Sequence, residues 1–146
     1  MNKFTLVGAA VLAVALGAYV VTRSSEQSAP VQETAAPAEG TPMVAVTLPE
    51  TLSPEADMGK RAFDAVCAAC HGENAAGNMG FGPPLIHKVY EPSHHGDMAF
   101  QVAAANGVRA HHWRFGDMPP QPEVTQADVR LIIAYVREMQ RANGIN

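Results

Sequence analysis

The 146-residue chain holds two cysteines, three positions apart, in the run Cys67-Ala68-Ala69-Cys70-His71. Residues three apart lie on one face of a helical turn. Two thiols placed this way can reach the two vinyl groups on one edge of a porphyrin. The next residue, His71, can then offer a ring nitrogen to the iron. The C-x-x-C-H run therefore reads as a c-type haem attachment site. Two other chemistries use the same letters. A redox-active dithiol pair needs an α/β setting, and the flanks here lack strand patterning. Half of a zinc site needs two further ligands. No second C-x-x-C exists, and His94, His95, His111 and His112 lack H-x(3–5)-H spacing. The haem reading requires a second iron ligand downstream.

The stretch 108–122, VRAHHWRFGDMPPQP, supplies a candidate. Met118 sits between Gly-Asp and Pro-Pro, where regular helix is not possible. A thioether held on a rigid loop is what a sixth iron ligand requires. The competing methionines fail on placement. Met79 follows His71 by only eight residues and would struggle to reach the opposite face. Met58 and Met98 fall in predicted helices as core, and Met139 falls in the last helix. Between the two stretches lies a Gly- and Asn-rich loop ending in Pro83-Pro84-Leu85. A metal-bound imidazole usually donates its other N–H to a fixed acceptor, and proline carbonyls in a rigid loop suit that need. Leu85 is expected to pack on the ring.

Three helices are predicted to position these groups. Ser53-Pro54-Glu55 is a helix start, with an N-cap, a proline in the first turn and an early acid. That helix runs to about residue 69, and Gly59, Phe63 and Val66 share one face. A second helix covers residues 96–106. Its stripe is Met98, Val102 and Ala105, with Phe100 off it, and Gly107 closes it. A third covers residues 125–143, capped by Thr125 with Asp128 at the N3 place. Its apolar stripe is Val129, Ile132, Ile133, Val136 and Met139, with Tyr135 bordering the stripe. No repeat, strand or phosphate loop is expected.

The chain before this head has two parts. Residues 1–21 include Phe4–Val21, eighteen residues without charge. That length is short for a membrane span and long for a signal core. Lys3 favours a cytoplasmic N-terminus, and Arg23 opposes it weakly. Ala13-Val14-Ala15 satisfies a cleavage rule but would leave an apolar stub, so an uncleaved anchor is preferred over a cleaved export signal. Residues 22–50 are rich in Ala, Pro, Glu, Ser and Thr with no aromatic, and read as a disordered linker. As a flexible coil it would span ~30 Å. Residues 51–146 form the folded head. Net charge is −4 overall, with −2 on the head. That acidity argues against a nucleic-acid partner, which needs a basic face. A head of this size has a marginal core, and a buried haem would supply much of the missing apolar contact.

Residues 52–143 resemble a class I cytochrome c. The resemblance rests on Gly59 and Phe63 before CAACH, the Gly82-Pro83-Pro84-Leu85 loop, Met118 with its prolines, and Tyr135 in the last helix. It implies an all-α fold around one covalently bound haem c, with the first and last helices crossing near Gly59, Phe63 and Tyr135. It implies Cys67 and Cys70 as thioether attachments, His71 and Met118 as axial iron ligands, and the Pro83 carbonyl as acceptor for His71. Trp113 and Arg114 become partners for the propionates. The anchor-plus-linker layout resembles membrane-tethered bacterial cytochromes c, at the periplasmic face of the inner membrane, or soluble there after cleavage.

With both axial positions filled, the expected function is one-electron transfer between redox partner proteins, with no catalytic residue and no small-molecule substrate. The acidic head would steer toward a basic docking patch. Two alternatives stay open. His87, His94, His95, His111 and His112 could build a second metal site in a redox enzyme or sensor. The head could also be a fixed subunit of a larger membrane complex.

Overall fold

The computed structural model describes residues 36–146. The expected anchor over residues 1–21, and the linker as far as residue 35, lie outside the described residues. Among the described residues no helix is long and apolar enough to cross a membrane.

Helix α1 is Pro54–Val66. The Ser53 hydroxyl accepts from the Ala56 amide at 3.2 Å, and Pro54 brings a φ already suited to a first turn. The prediction of one helix through residue 69 needs correction at its end. The chain passes through Cys67 into a separate four-residue turn, α2 (Ala68–His71). Gly72 stops it at φ 75°. A Cβ there would meet the Gly77 carbonyl oxygen at 2.2 Å, so this position needs glycine for space as well as for φ.

Helix α3 is Asp97–Asn106 and ends at Gly107. Helix α4 is Gln126–Ala142. Thr125 and Asp128 form a reciprocal cap: the Thr125 amide donates to Asp128 Oδ2 at 3.0 Å, and the Asp128 amide to Thr125 Oγ1 at 3.2 Å. Short 3-10 turns at Glu73–Ala75 and Lys88–Tyr90 complete the helical content. The described residues contain no strand, only isolated bridges at Asn78–Gly82 and Val108–Met118.

The core forms where α1 crosses α4. A Cβ on Gly59 would stand 1.9 Å from the Leu131 carbonyl oxygen, so glycine sets how closely the two backbones approach. Phe63 and Tyr135 meet beside it, ring centres 5.5 Å apart and tilted by 53°. Val129, Ile132, Ile133, Val136 and Met139 are all buried as the periodicity requires. Tyr135 is fully buried and belongs to the middle of the face, not its border. Its ring enters the crossing from beside Ile132 and Val136 and fills the space beside Phe63.

Three further expectations are corrected. Met58 is 43% exposed and Met98 71% exposed, so neither is core. Helix α3 has no buried residue at all, because its apolar residues wall an open cleft rather than a packed interior. Residues 37–50, expected to be free linker, lie on the head. The Met43 and Val44 amides both donate to the Ala76 carbonyl, at 3.0 and 3.1 Å. Gly40 and Thr41 exchange bonds with Met79, each 2.9 Å. Thr47 and Asn143 bond reciprocally at 2.8 and 2.9 Å. The short apolar run Met43-Val44-Ala45-Val46 explains why this part orders: Val46 packs on the core.

Buried polar groups of α4 pin the middle of the chain. Arg137 is 8% exposed and has four acceptors. It donates to Asp97 (2.8 Å), the Tyr90 carbonyl (2.8 Å), Gln140 (2.6 Å) and the His95 carbonyl (2.6 Å). Gln140 in turn donates to the Leu85 and Tyr90 carbonyls, both at 2.9 Å. A buried charge is tolerated only when its hydrogen-bonding capacity is met, and here it holds the loop 85–97 against the last helix.

Candidate haem site

The α1–α2 junction presents the cysteines. The Cys67 amide continues the helix by donating to the Phe63 carbonyl at 2.8 Å. Cys70 follows one turn later, and both thiols are free. Burial, followed by the neighbouring Cys70, pushes the Cys67 thiol up to about 11. A reactive dithiol is helped by the opposite, a lowered thiol pKa that yields thiolate, so the setting of Cys67 does not favour the redox-pair reading.

His71 ends the same turn. Its Nδ1 lies 2.9 Å from the Pro83 carbonyl oxygen. Burial lowers the proton affinity of the ring, and the carbonyl opposes this in part. A neutral imidazole donating from Nδ1 leaves the Nε2 lone pair free. The loop between these residues is rigid. The Gly77 amide donates to the His71 carbonyl at 2.7 Å, and the Leu85 amide to the Ala75 carbonyl at 3.0 Å. Asn78 Nδ2 donates to the Ala69 carbonyl at 3.0 Å. Gly82 passes directly under the cysteines, and a Cβ there would meet the Cys70 carbonyl oxygen at 2.4 Å.

Met118 approaches from the far loop. Its amide and carbonyl both pair with Val108, each at 2.9 Å. Gly107, at φ 73°, makes room for that pairing, since a Cβ would lie 2.5 Å from the Met118 carbonyl oxygen. The Ala110 amide donates to Asp117 Oδ1 at 2.8 Å and closes the loop neck.

These groups face one cleft of about 780 Å³, within the ~300–1,000 Å³ of a pocket for a small organic ligand or cofactor. Cys67, Cys70, His71, Pro83, Leu85, Trp113 and Met118 all line it. Arg114 is not among the lining residues, while Arg109, which the sequence reading passed over, is. Arg109 follows Val108, which pairs with Met118, and nothing local in the sequence distinguishes it from Arg114. Phe81, Val102 and Phe115 add to the apolar wall.

A family model for cytochrome c matches residues 56–140, well over half of the chain. The chain belongs to the cytochrome c family. No curated protein and no solved structure matches it. Membership brings a covalently bound c-type haem and a role in electron transfer, and the cytochrome's own residues fit that group. The cleft is walled by apolar side chains, two free thiols stand at one edge, and His71 is held with one ring nitrogen engaged. Trp113 Nε1 is buried without a hydrogen-bond partner, a donor with nothing yet to donate to. Burial pushes the Tyr90 phenol up and Trp113 offsets part of this, although no hydrogen bond of normal length joins them.

Four of the cytochrome's five remaining histidines gather at the rim. His95, His111 and His112 line the cleft, and His94 contacts His112 with Nε2 atoms 3.4 Å apart. His87 stands apart, edge-on to Trp113 with ring centres 5.3 Å apart.

Proposed function

We propose that this cytochrome is a one-electron carrier in which Cys67 and Cys70 bond a single haem c through thioethers. His71 Nε2 and Met118 Sδ would take the two axial positions. When bound, the haem supplies reversible one-electron exchange at its iron. The chain's part is to hold that group and tune it. The Pro83 carbonyl fixes the His71 tautomer and orientation. The soft Met118 thioether favours the ferrous state and raises the potential. Leu85, Val102 and Phe115, which line the cleft, would keep water from the bound group. With His71 and Met118 both on the iron no position would remain for a substrate, and we assign no catalytic turnover and no small-molecule substrate.

The observation that supports this reading is the convergence of four groups on one apolar cleft: Cys67, Cys70, His71 and Met118, the last 47 residues beyond the histidine. The acidic head would dock on basic patches of donor and acceptor proteins. Residues 1–21 would tether it to the bacterial inner membrane, facing the periplasm. The test is Cys67→Ala with Cys70→Ala, expressed with haem-maturation machinery. Wild type should keep its haem through acid–acetone extraction and the double variant should lose it. Haem that stays bound in the double variant would refute the assignment.

A further inference from the structure

The rim cluster has a geometry that the electron-carrier reading does not use. His94, His95 and His112 each present one ring nitrogen, and the three atoms all lie within 4.8 Å of one another. Their ring centres are 4.7, 5.2 and 5.3 Å apart. A tetrahedral ion with metal–nitrogen bonds of ~2.0–2.1 Å sets its ligands ~3.3–3.4 Å from each other. His94 Nε2 and His112 Nε2 already stand at 3.4 Å. That is long for a hydrogen bond between imidazoles, where the N–H···N distance is normally nearer 3 Å, and close to the edge of a coordination tetrahedron.

The third residue carries the support that metal-binding histidines usually have. His95 Nδ1 lies 2.6 Å from the Val89 carbonyl oxygen, which places the proton on Nδ1 and leaves Nε2 as the ligand atom. The His95 backbone is itself fixed, since its carbonyl accepts from Arg137 Nη2 at 2.6 Å. His94 and His112 are exposed, so an ion can enter from solvent. Exposed neutral imidazoles gain little by crowding together in water, and a shared cation gives them a reason to do so. His111 lies beside His112 with ring centres 4.3 Å apart and planes tilted by 52°, but it is not among the three residues whose ring nitrogens converge.

We propose that His94, His95 and His112 bind one divalent ion of the zinc–copper class at the rim of the haem cleft. Imidazole suits these ions, and three protein ligands leave a fourth position for water or a partner's side chain. His95 and His112 also wall the cleft. Given the haem reading above, on which only this consequence rests, a bound dication would favour the ferrous iron and raise the potential.

The test uses the full-length, haem-loaded protein, stripped with chelator and titrated with zinc. Calorimetry and metal analysis should find one zinc per chain beside the iron. His94→Ala and His112→Ala should each weaken binding at least about tenfold with helix content unchanged, and His94→Ala, outside the cleft wall, should also keep the haem spectrum, while His111→Ala should leave zinc binding intact. The wild-type potential should rise on adding zinc, and that of His112→Ala should not. Absence of stoichiometric zinc at micromolar concentration would overturn the site. So would equal binding by His112→Ala, which would leave these histidines as donors to the haem's acid groups. Zinc that binds at the trio without moving the potential would overturn the link to the haem alone. Metal binding is read without reference to colour, so failure of the haem assignment would be seen separately.

Discussion

The two loops that flank the cleft are built differently. Between Gly72 and Ile86, Ala75, Ala76, Pro84, Leu85 and Ile86 are buried, and backbone bonds tie the loop to α2, to itself and to residues 40–44. Between Gly107 and Pro122 no residue is buried. The backbone there is held mainly by the Val108–Met118 pair, the Asp117 contact at the neck and the Gln121 amide, which donates to the Ala104 carbonyl at 2.8 Å. Local stability follows buried apolar contact and protected backbone bonding. The polypeptide therefore completes the His71 side by itself, while the Met118 side stands over a cleft that needs a filler.

Substitutions can break or sharpen that contrast. Gly82→Ala should do most harm. Its Cβ would press on the Cys70 carbonyl at 2.4 Å, and overpacking a tight backbone contact costs about 3 kcal/mol. Denaturant unfolding of the haem-loaded protein should show that loss, together with a lower yield of covalent haem. Met118→Ala should act more gently on the fold, by ~1–2 kcal/mol. It should leave the haem attached, remove the methionine–iron absorption band and lower the potential. A loss of stability equal to that of Gly82→Ala would mean that the two loops are equally integral.

Tyr135→Phe should have the smallest effect. Tyr135 Oη is buried without a partner, so its removal loses no hydrogen bond and should leave stability at neutral pH unchanged or slightly raised. Burial first, then Asp64 and Glu73, push this phenol up to about 12. The unfolded chain releases the same proton near pH ~10. Below that pH both states are protonated and the stability is intact. As pH rises through the window from 10 to 12, the unfolded state has lost its proton and the native state has not, so wild-type stability falls. Urea midpoints at pH 8 and pH 11 should show a shallower fall in the phenylalanine variant.

What could be read from the sequence was local or tied to backbone space. Ser53, Thr125 and Asp128 announce their helices because a cap acts over three residues. Gly59 and the C-x-x-C-H run declare themselves because few residue types fit those positions. The Met118 loop could be found because proline excludes helix there. What could not be read depends on distant partners. Arg137 looks like an ordinary surface charge until Asp97 and the carbonyls of Tyr90 and His95 are brought around it. Met98 follows a core-like period, but the face it joins looks into the cleft and stays 71% exposed. Arg109 and Arg114 differ only in which way a loop turns. Residues 37–50 look like linker by composition, and only the run 43–46 hints that they dock.

That docked run has a mechanical consequence. Among the described residues, a pull from the N-terminal side meets its first backbone bonds to the head at Gly40 and Thr41. They are clasped to Met79, and Met43 and Val44 are clasped to Ala76. Load then enters the head within a few residues of the histidine ring and is shared through Thr47 with Asn143, at the end of the last helix. Under the proposed tether, a tug from that side would be felt beside His71 before it disturbed the crossing of α1 and α4.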